Sequence, residues 1–286
     1  MPVKAPYVSG NAPASRTSSW FEEVRRPSDR VILWAFFASF FILHYVDRLL
    51  RLRGDAITDL KTAEVLGFVA EGFVLIRLGG HSVLRAWDLA ILGMAALTIV
   101  HPWPPAGGVA LTFLGAIFAL RRDRSLASLG QLCLGLAWIE LWGFKVLAFV
   151  AHWLLPLETA ISYWALSLFG QFSLLGNSIG GESGHRIIVF NGCSVFQNTI
   201  LISFMWLALV KIQGLRFHAW QYAVLAISLV ALMMLNTARL ALMAYSYEGY
   251  EYWHNQAGAT FMAMAPEVIL MSLYSVVFLR RSGPKD

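Results

Sequence analysis

Long apolar runs separated by short charged segments dominate the chain. They cover about 31–47, 86–101, 106–120, 126–150, 195–213, 218–244 and 259–279, most of them close to the ~20 residues a helix needs to cross the hydrocarbon core. A weaker run at 63–80 is interrupted by Glu71 and Arg77. The apolar positions recur with a helical period, rich in Leu, Ala, Val and Phe, and show no ten-residue alternation. Backbone groups in lipid must be satisfied within the protein, so this pattern predicts helices rather than a barrel. The expectation is an all-α polytopic membrane protein, a bundle of about eight transmembrane helices.

Two stretches break the pattern. Between 153 and 175, Trp153, Trp164, Phe169 and Phe172 mix with Glu158, Ser162, Ser167, Gln171 and Ser173. Leu157, Ile161, Trp164, Leu168, Phe172 and Leu175 stand three or four apart, which predicts a helix with one apolar face. It is expected to lie in the outer interface or against the bundle. Residues 176–192 are punctuated by Gly176, Gly180, Gly181 and Gly184, and Arg186 to Phe190 is strand-like. A short extended segment or β-hairpin is therefore expected just before Cys193. Residues 1–30, broken by Pro2, Pro6, Pro13 and Pro27 and charged by arginines, read as a disordered cytoplasmic tail. No signal peptide is read there. Residues 31–281 read as one transmembrane domain, and the half that holds these two stretches covers about 153–281.

Composition reinforces the pattern. The chain is 58% hydrophobic and 14% charged, where a soluble domain is nearer half apolar and a quarter charged. The net charge of +5 is carried in the segments between runs, which fits cytoplasmic loops rather than a nucleic-acid partner. Arg121, Arg122 and Arg124, then Lys211 and Arg216, then Arg280 and Arg281 mark three cytoplasmic points. The loops holding Cys193 and 245–258 then fall on the outer face. An eight-span count also places the basic segment 48–61 outside, which fits the same rule less well. His101 to Pro105 reads as a tight turn with an interfacial Trp.

Three polar residues carry the candidate chemistry. Cys193 stands at the seam between the glycine-rich segment and an apolar helix. The N–H groups and partial positive charge of a helix start favour a thiolate and could stabilise an oxyanion. The plainer reading is a small apolar filler, which suits Cys133 in its apolar run; neither spacing nor context pairs the two in a disulfide. Arg239 interrupts an apolar helix, with Asn236 on the same face. A buried arginine in a span marks a functional site unless it snorkels to water. His254 lies in the aromatic stretch between the last two runs, where it is either a general acid/base or a solvated loop histidine. His185 is its nearest competitor. No metal-ligand spacing, phosphate loop or cofactor motif is present. Glu140 and Lys145, with Arg239, leave a transporter or an assembly factor for exopolysaccharide export as the alternative.

The order of these residues resembles the exosortase/archaeosortase family of integral membrane cysteine transpeptidase-like enzymes. That family has about eight spans, an outer-face Cys after a glycine-rich extended segment, a later Asn-x-x-Arg and a His in the next outer loop. The resemblance covers roughly 160–280. It implies Cys193 as nucleophile, Arg239 as substrate or transition-state clamp and His254 as acid/base, with Ser194 and Asn236 in support. It also implies a multi-pass protein of the inner membrane with its site on the periplasmic face. The substrates would be membrane-anchored proteins bearing a C-terminal sorting signal: a motif, a transmembrane helix and a basic tail. No cofactor or metal is implied. The family's usual Cys-Ser-Gly is here Cys193-Ser194-Val195, and Gly192 and Asn191 also depart from common choices.

Overall fold

The computed structural model describes residues 29–51, 62–77, 84–100, 106–181, 184–190, 193–214 and 216–282. The tail to residue 28, the turn at 101–105 and most of the basic segment 48–61 lie outside these. In chain order the helices are α1 (Asp29–Arg51), α2 (Thr62–Arg77), α3 (Ala86–Val100), α4 (Ala106–Ala119), α5 (Arg124–Ala137) and α6 (Gly143–Leu166). Strands β1 (Ser173–Leu175), β2 (Ser178–Gly180) and β3 (Arg186–Ile188) follow, then α7 (Val195–Gln213), α8 (Ala219–Tyr245), α9 (Tyr247–Asn255) and α10 (Ala257–Ser282). Among the described residues, the stretches Arg124–Trp142, Lys145–Leu166, Ala219–Tyr245 and Ala257–Arg280 are long and apolar enough to cross a membrane, and four shorter apolar helices accompany them.

A π-helical turn, Trp138–Trp142, joins α5 to α6 with helical dihedrals on both sides. The Gly143 N–H reaches back five residues to the Trp138 carbonyl. The helix beginning at Arg124 therefore continues to Leu166 instead of ending near 150. It stops there, so the helix expected over 153–175 covers only its first part and β1 takes the end. Its apolar stripe also faces the other way from a soluble helix. Leu157, Ile161 and Trp164 are exposed, while Glu158, Thr159 and Ser162 are buried. α8 has the same arrangement, with Gln221, Ser228 and Asn236 inside and Ile227, Val230 and Met234 outside. Polar groups in a span turn to the bundle interior because a lipid-facing polar group has no partner.

The main core is built from α1, α2, α4, α5 and α7 with contributions from α3, α8 and α10. Glycines let the helices approach closely. A Cβ on Gly130 would strike the backbone of Phe118 and Ala119, and one on Gly67 would lie 2.6 Å from the Phe204 ring. The interruptions at 63–80 both have partners. The Arg77 guanidinium donates to the carbonyls of Lys211, Ile212 and Gln213 at the end of α7, where a cation suits the unpaired carbonyls. Glu71 is buried against Cys133, whose Sγ donates to Oε1 at 3.8 Å. Cys133 is fully buried in this core, as expected of a filler.

Two ends can be told apart. One gathers Asp29, Arg77, Asp88, Arg121 and Gln213: the Leu84 N–H donates to Asp29, and Arg121 pairs with buried Asp88. The other carries the sheet, the start of α7 and α9. The sheet is antiparallel in the order β1-β2-β3. Gly176, with a φ of 59°, makes the β1–β2 turn, where the left-handed region is open to glycine. Ile179, Ile187 and Val189 seat the sheet in a second core with Leu166, Leu240, Met243 and Cys193. The fit is close: a Cβ on Gly181 would lie 2.5 Å from the Ala244 carbonyl. The hairpin expected before Cys193 is thus present, with β3 as a third strand. The segment 245–258, read as a loop, is largely the helix α9, capped by the Ser246 hydroxyl accepting the Gly249 N–H.

Candidate active site

Cys193 sits where the second core meets the first turn of α7. It is 5% exposed, and its N–H donates to the Phe190 carbonyl at 2.9 Å. Ser194 is the N-cap of α7, its Oγ accepting the Phe196 N–H at 3.2 Å. Serine suits this place because its side chain replaces a missing helical partner.

Beneath the cap lies Glu158 from α6. Its Oε2 accepts the Ser194 hydroxyl at 2.5 Å, and its Oε1 accepts the Val195 N–H at 2.7 Å. The same Oε1 accepts Asn236 Nδ2 at 2.9 Å. Asn236 Nδ2 also donates to the Cys193 carbonyl at 3.0 Å. One buried carboxylate therefore ties α6, the cysteine segment and α8 together. Its position also suits the positive end of α7.

This network corrects one expectation. The first N–H groups of the helix, with Ser194 in support, were expected to stabilise an oxyanion. The Ser194 hydroxyl and the Val195 N–H are instead engaged by Glu158, and the Phe196 N–H by the cap. A further donor at the site is Arg239. Its guanidinium is within electrostatic reach of Cys193, and its Nε donates to the Trp253 carbonyl at 3.1 Å. Among the described residues, no protein group takes a hydrogen bond from its Nη atoms. It is half-buried, neither swallowed by the bundle nor extended along its surface.

His254 is carried on α9. Its ring stacks on Tyr250 at 4.9 Å with planes 15° apart. Tyr250 and Trp253 pack against the cluster containing Cys193. His254 thus reaches the same end through its neighbours; among the described residues no hydrogen bond joins it to Cys193 or Arg239. Its Nδ1 lies 2.8 Å from Asn255 Oδ1, and Asn255 Nδ2 donates to Glu251 Oε2 at 3.0 Å. Glu251 accepts hydrogen bonds only, so it fixes the Asn255 amide with its oxygen toward the imidazole. In the neutral ring Nδ1 then carries the proton and Nε2 the lone pair, the tautomer a general base acting through Nε2 needs. The charge of Glu251, and its hydrogen bond to the phenol, push the Tyr247 hydroxyl above its ordinary value. His185 lies across Tyr250 from this group, its ring 6.0 Å from both Tyr247 and Tyr250.

Glu158, Glu251 and Asn255 were not singled out from sequence. Glu158 had a usable signal: a carboxylate within an apolar helix demands a buried partner. The other two had none, because their roles depend on the fold of α9. Lys145 is exposed and Glu140 lies in the π turn, so neither joins this cluster. Among the described residues no group of three His, Cys, Asp or Glu side chains could hold a metal ion. Comparison of the chain with protein-family models, curated proteins and solved structures finds no match.

Proposed function

We propose that this protein is a membrane cysteine peptidase or transpeptidase of the exosortase kind, cutting a C-terminal sorting signal from exported proteins. The observation that carries the reading is the wedging of Cys193 at the start of α7, with its carbonyl held by Asn236, Arg239 within electrostatic reach and the His254 helix packed over the same core. The reading includes about eight crossings, the inner membrane as location, and an outer-face site opposite the basic end of the bundle.

In this mechanism His254 Nε2 takes the thiol proton and the Cys193 thiolate attacks the carbonyl of the scissile peptide bond. The tetrahedral oxyanion forms beside the free Nη donors of Arg239, which are worth most in a water-poor setting. Collapse breaks the C–N bond as His254 returns the proton to the leaving amine. A thioester remains on Cys193, and water or an acceptor amine then releases it. The segment carrying the bond would stand just outside the substrate's own transmembrane helix. An outward-facing apolar groove of about 660 Å³, lined by Ile161, Ala165, Met234, Ala238 and Ala241, runs between α6 and α8 beside the site, and suits such a helix.

The test is co-expression with a tagged exported protein bearing a C-terminal motif, helix and basic tail. Processing is expected with the natural chain and not with Cys193→Ala. Processing that survives Cys193→Ala overturns the reading.

A further inference from the structure

The sheet has an open edge, and its hydrogen-bonding phase can be read. The Gly181 N–H donates to the His185 carbonyl, and the Val189 N–H to the Asn177 carbonyl. With Ile179 opposite Ile187, residues 185, 187 and 189 turn their main-chain groups to β2. Antiparallel ladders alternate, so the N–H and C=O groups of Arg186 and Ile188 point the other way. Among the described residues β3 has only β2 as a ladder partner. The sheet meets the helices through one face, by way of Ile179, Ile187 and Val189. Ile188 is 55% exposed and Phe190 63%. The β1 edge is a poorer template: its pairing leaves only Leu174 facing outward, two strands farther from the cysteine.

We propose that the outer edge of β3 binds the extended main chain of the substrate as a fourth strand and delivers it to Cys193. The proposal rests on the peptidase reading of that cysteine. An edge with unpaired donors and acceptors selects a strand-like polypeptide over a helix or a compact ligand. The partner would lie about 4.8 Å from β3. The strand also leads directly to the cysteine, since the Phe190 carbonyl just beyond it accepts the Cys193 N–H. Main-chain pairing recognises extended conformation while leaving side-chain preference to neighbouring surfaces.

The test uses the purified full chain in nanodiscs and needs no natural substrate. The probes are acetyl-Ala-Ala-Ala chloromethyl ketone and chloroacetone; each loses chloride as the thiolate forms an S–C bond. Adducts at Cys193 are read by mass spectrometry, with buried Cys133 as internal reference. The tripeptide probe is expected to alkylate Cys193 at least about tenfold faster, the gain that ~1.4 kcal/mol of added binding would give. Ile188→Pro removes an outward N–H without touching the bond to β2, a change edge strands tolerate. It should abolish the gain and leave the chloroacetone rate unchanged, whereas Ile188→Ala should keep the gain. N-methylation of the probe should erase it at alternate amides only, a readout that stands even if the proline variant fails to fold.

Equal rates for the two probes overturn the proposal, as does a gain unaffected by both Ile188→Pro and N-methylation. A dimer that Ile188→Pro dissolves, with no peptide gain, also overturns it by assigning the edge to a second copy. A thiol inert to both probes overturns it together with the nucleophile reading. A phased peptide gain, alongside processing that survives Cys193→Ala, removes only the peptidase reading.

Discussion

Asn236 and Glu158 meet below the cysteine: Nδ2 of one donates to Oε1 of the other at 2.9 Å, and also to the Cys193 carbonyl at 3.0 Å. The two side chains come from different helices, α8 and α6, so the cysteine's backbone is located by a contact that exists only once the bundle has closed. Both are buried, where a lost partner costs about 1–3 kcal/mol per stranded polar group.

Glu158→Ala strands the Ser194 hydroxyl, the Val195 N–H and one Asn236 interaction. It is expected to lower stability in detergent by several kcal/mol, on the order of 1–3 per group, and to abolish processing. Glu158→Gln keeps an acceptor for Val195 and Asn236 and should retain the fold. In a double-mutant cycle, Glu158→Gln and Asn236→Ala should couple by about 0.5–3 kcal/mol in thermal unfolding. Simple additivity would contradict the shared network.

Arg239→Lys keeps the charge but loses the planar fork. An ammonium carries its three donors on one nitrogen, so a bond to the Trp253 carbonyl leaves the other two without the fixed spacing of the fork. The turnover rate should fall by about 10²–10³-fold, the cost of removing one oxyanion donor. Binding of an uncleaved substrate to the Cys193→Ala background should change little. A rate unaffected by Arg239→Lys would remove the clamp role.

Asn255→Ala releases the imidazole from its tautomer. ¹⁵N spectra of the His254 ring should show the Nδ1–H form in the natural chain and a mixture in the variant, a readout that needs no substrate. Glu251→Gln has a second expected signature. Removing the negative charge beside Tyr247 makes its phenolate easier to form, so the tyrosine should titrate at lower pH than in the natural chain. An unchanged tautomer and an unchanged titration would contradict the arrangement on α9.

Gly130→Ala tests the close approach of α4 and α5. The new methyl group meets backbone atoms of Phe118 and Ala119, which cannot rotate away. Overpacking of this kind costs about 1–3 kcal/mol, and the thermal midpoint should drop without any specific effect on turnover.

Much of the framework was readable from one dimension. The runs at 195–213 and 218–244 match α7 and α8 to within a residue or so at either end, because apolar length and terminal charges set them locally. The strand character of Arg186 to Phe190 and the helix start after Cys193 were visible for the same reason. The stretch 153–175 was not. Its apolar stripe was legible, but a period states only that a helix has two faces. Which face turns inward depends on the surroundings, and here the polar one does. Cys193, Arg239 and Asn236 were legible as lone polar residues in apolar settings. Glu158, Glu251 and Asn255 acquire their roles only through partners in three dimensions.

The π turn between α5 and α6 has a consequence for alignment. A helix advances about 100° per residue, so one extra residue in a turn swings everything after it by more than a quarter of a circle. Glu158 points at Ser194 and Asn236 in the phase set by that insertion, more than three turns earlier. Deleting one residue from 138–142 to restore a plain α-helix should rotate Glu158 out of the bundle and bring an apolar neighbour to the cysteine's foundation. The cysteine end of the bundle is thus indexed from the middle of a helix, by a local surplus of backbone at Trp138–Trp142.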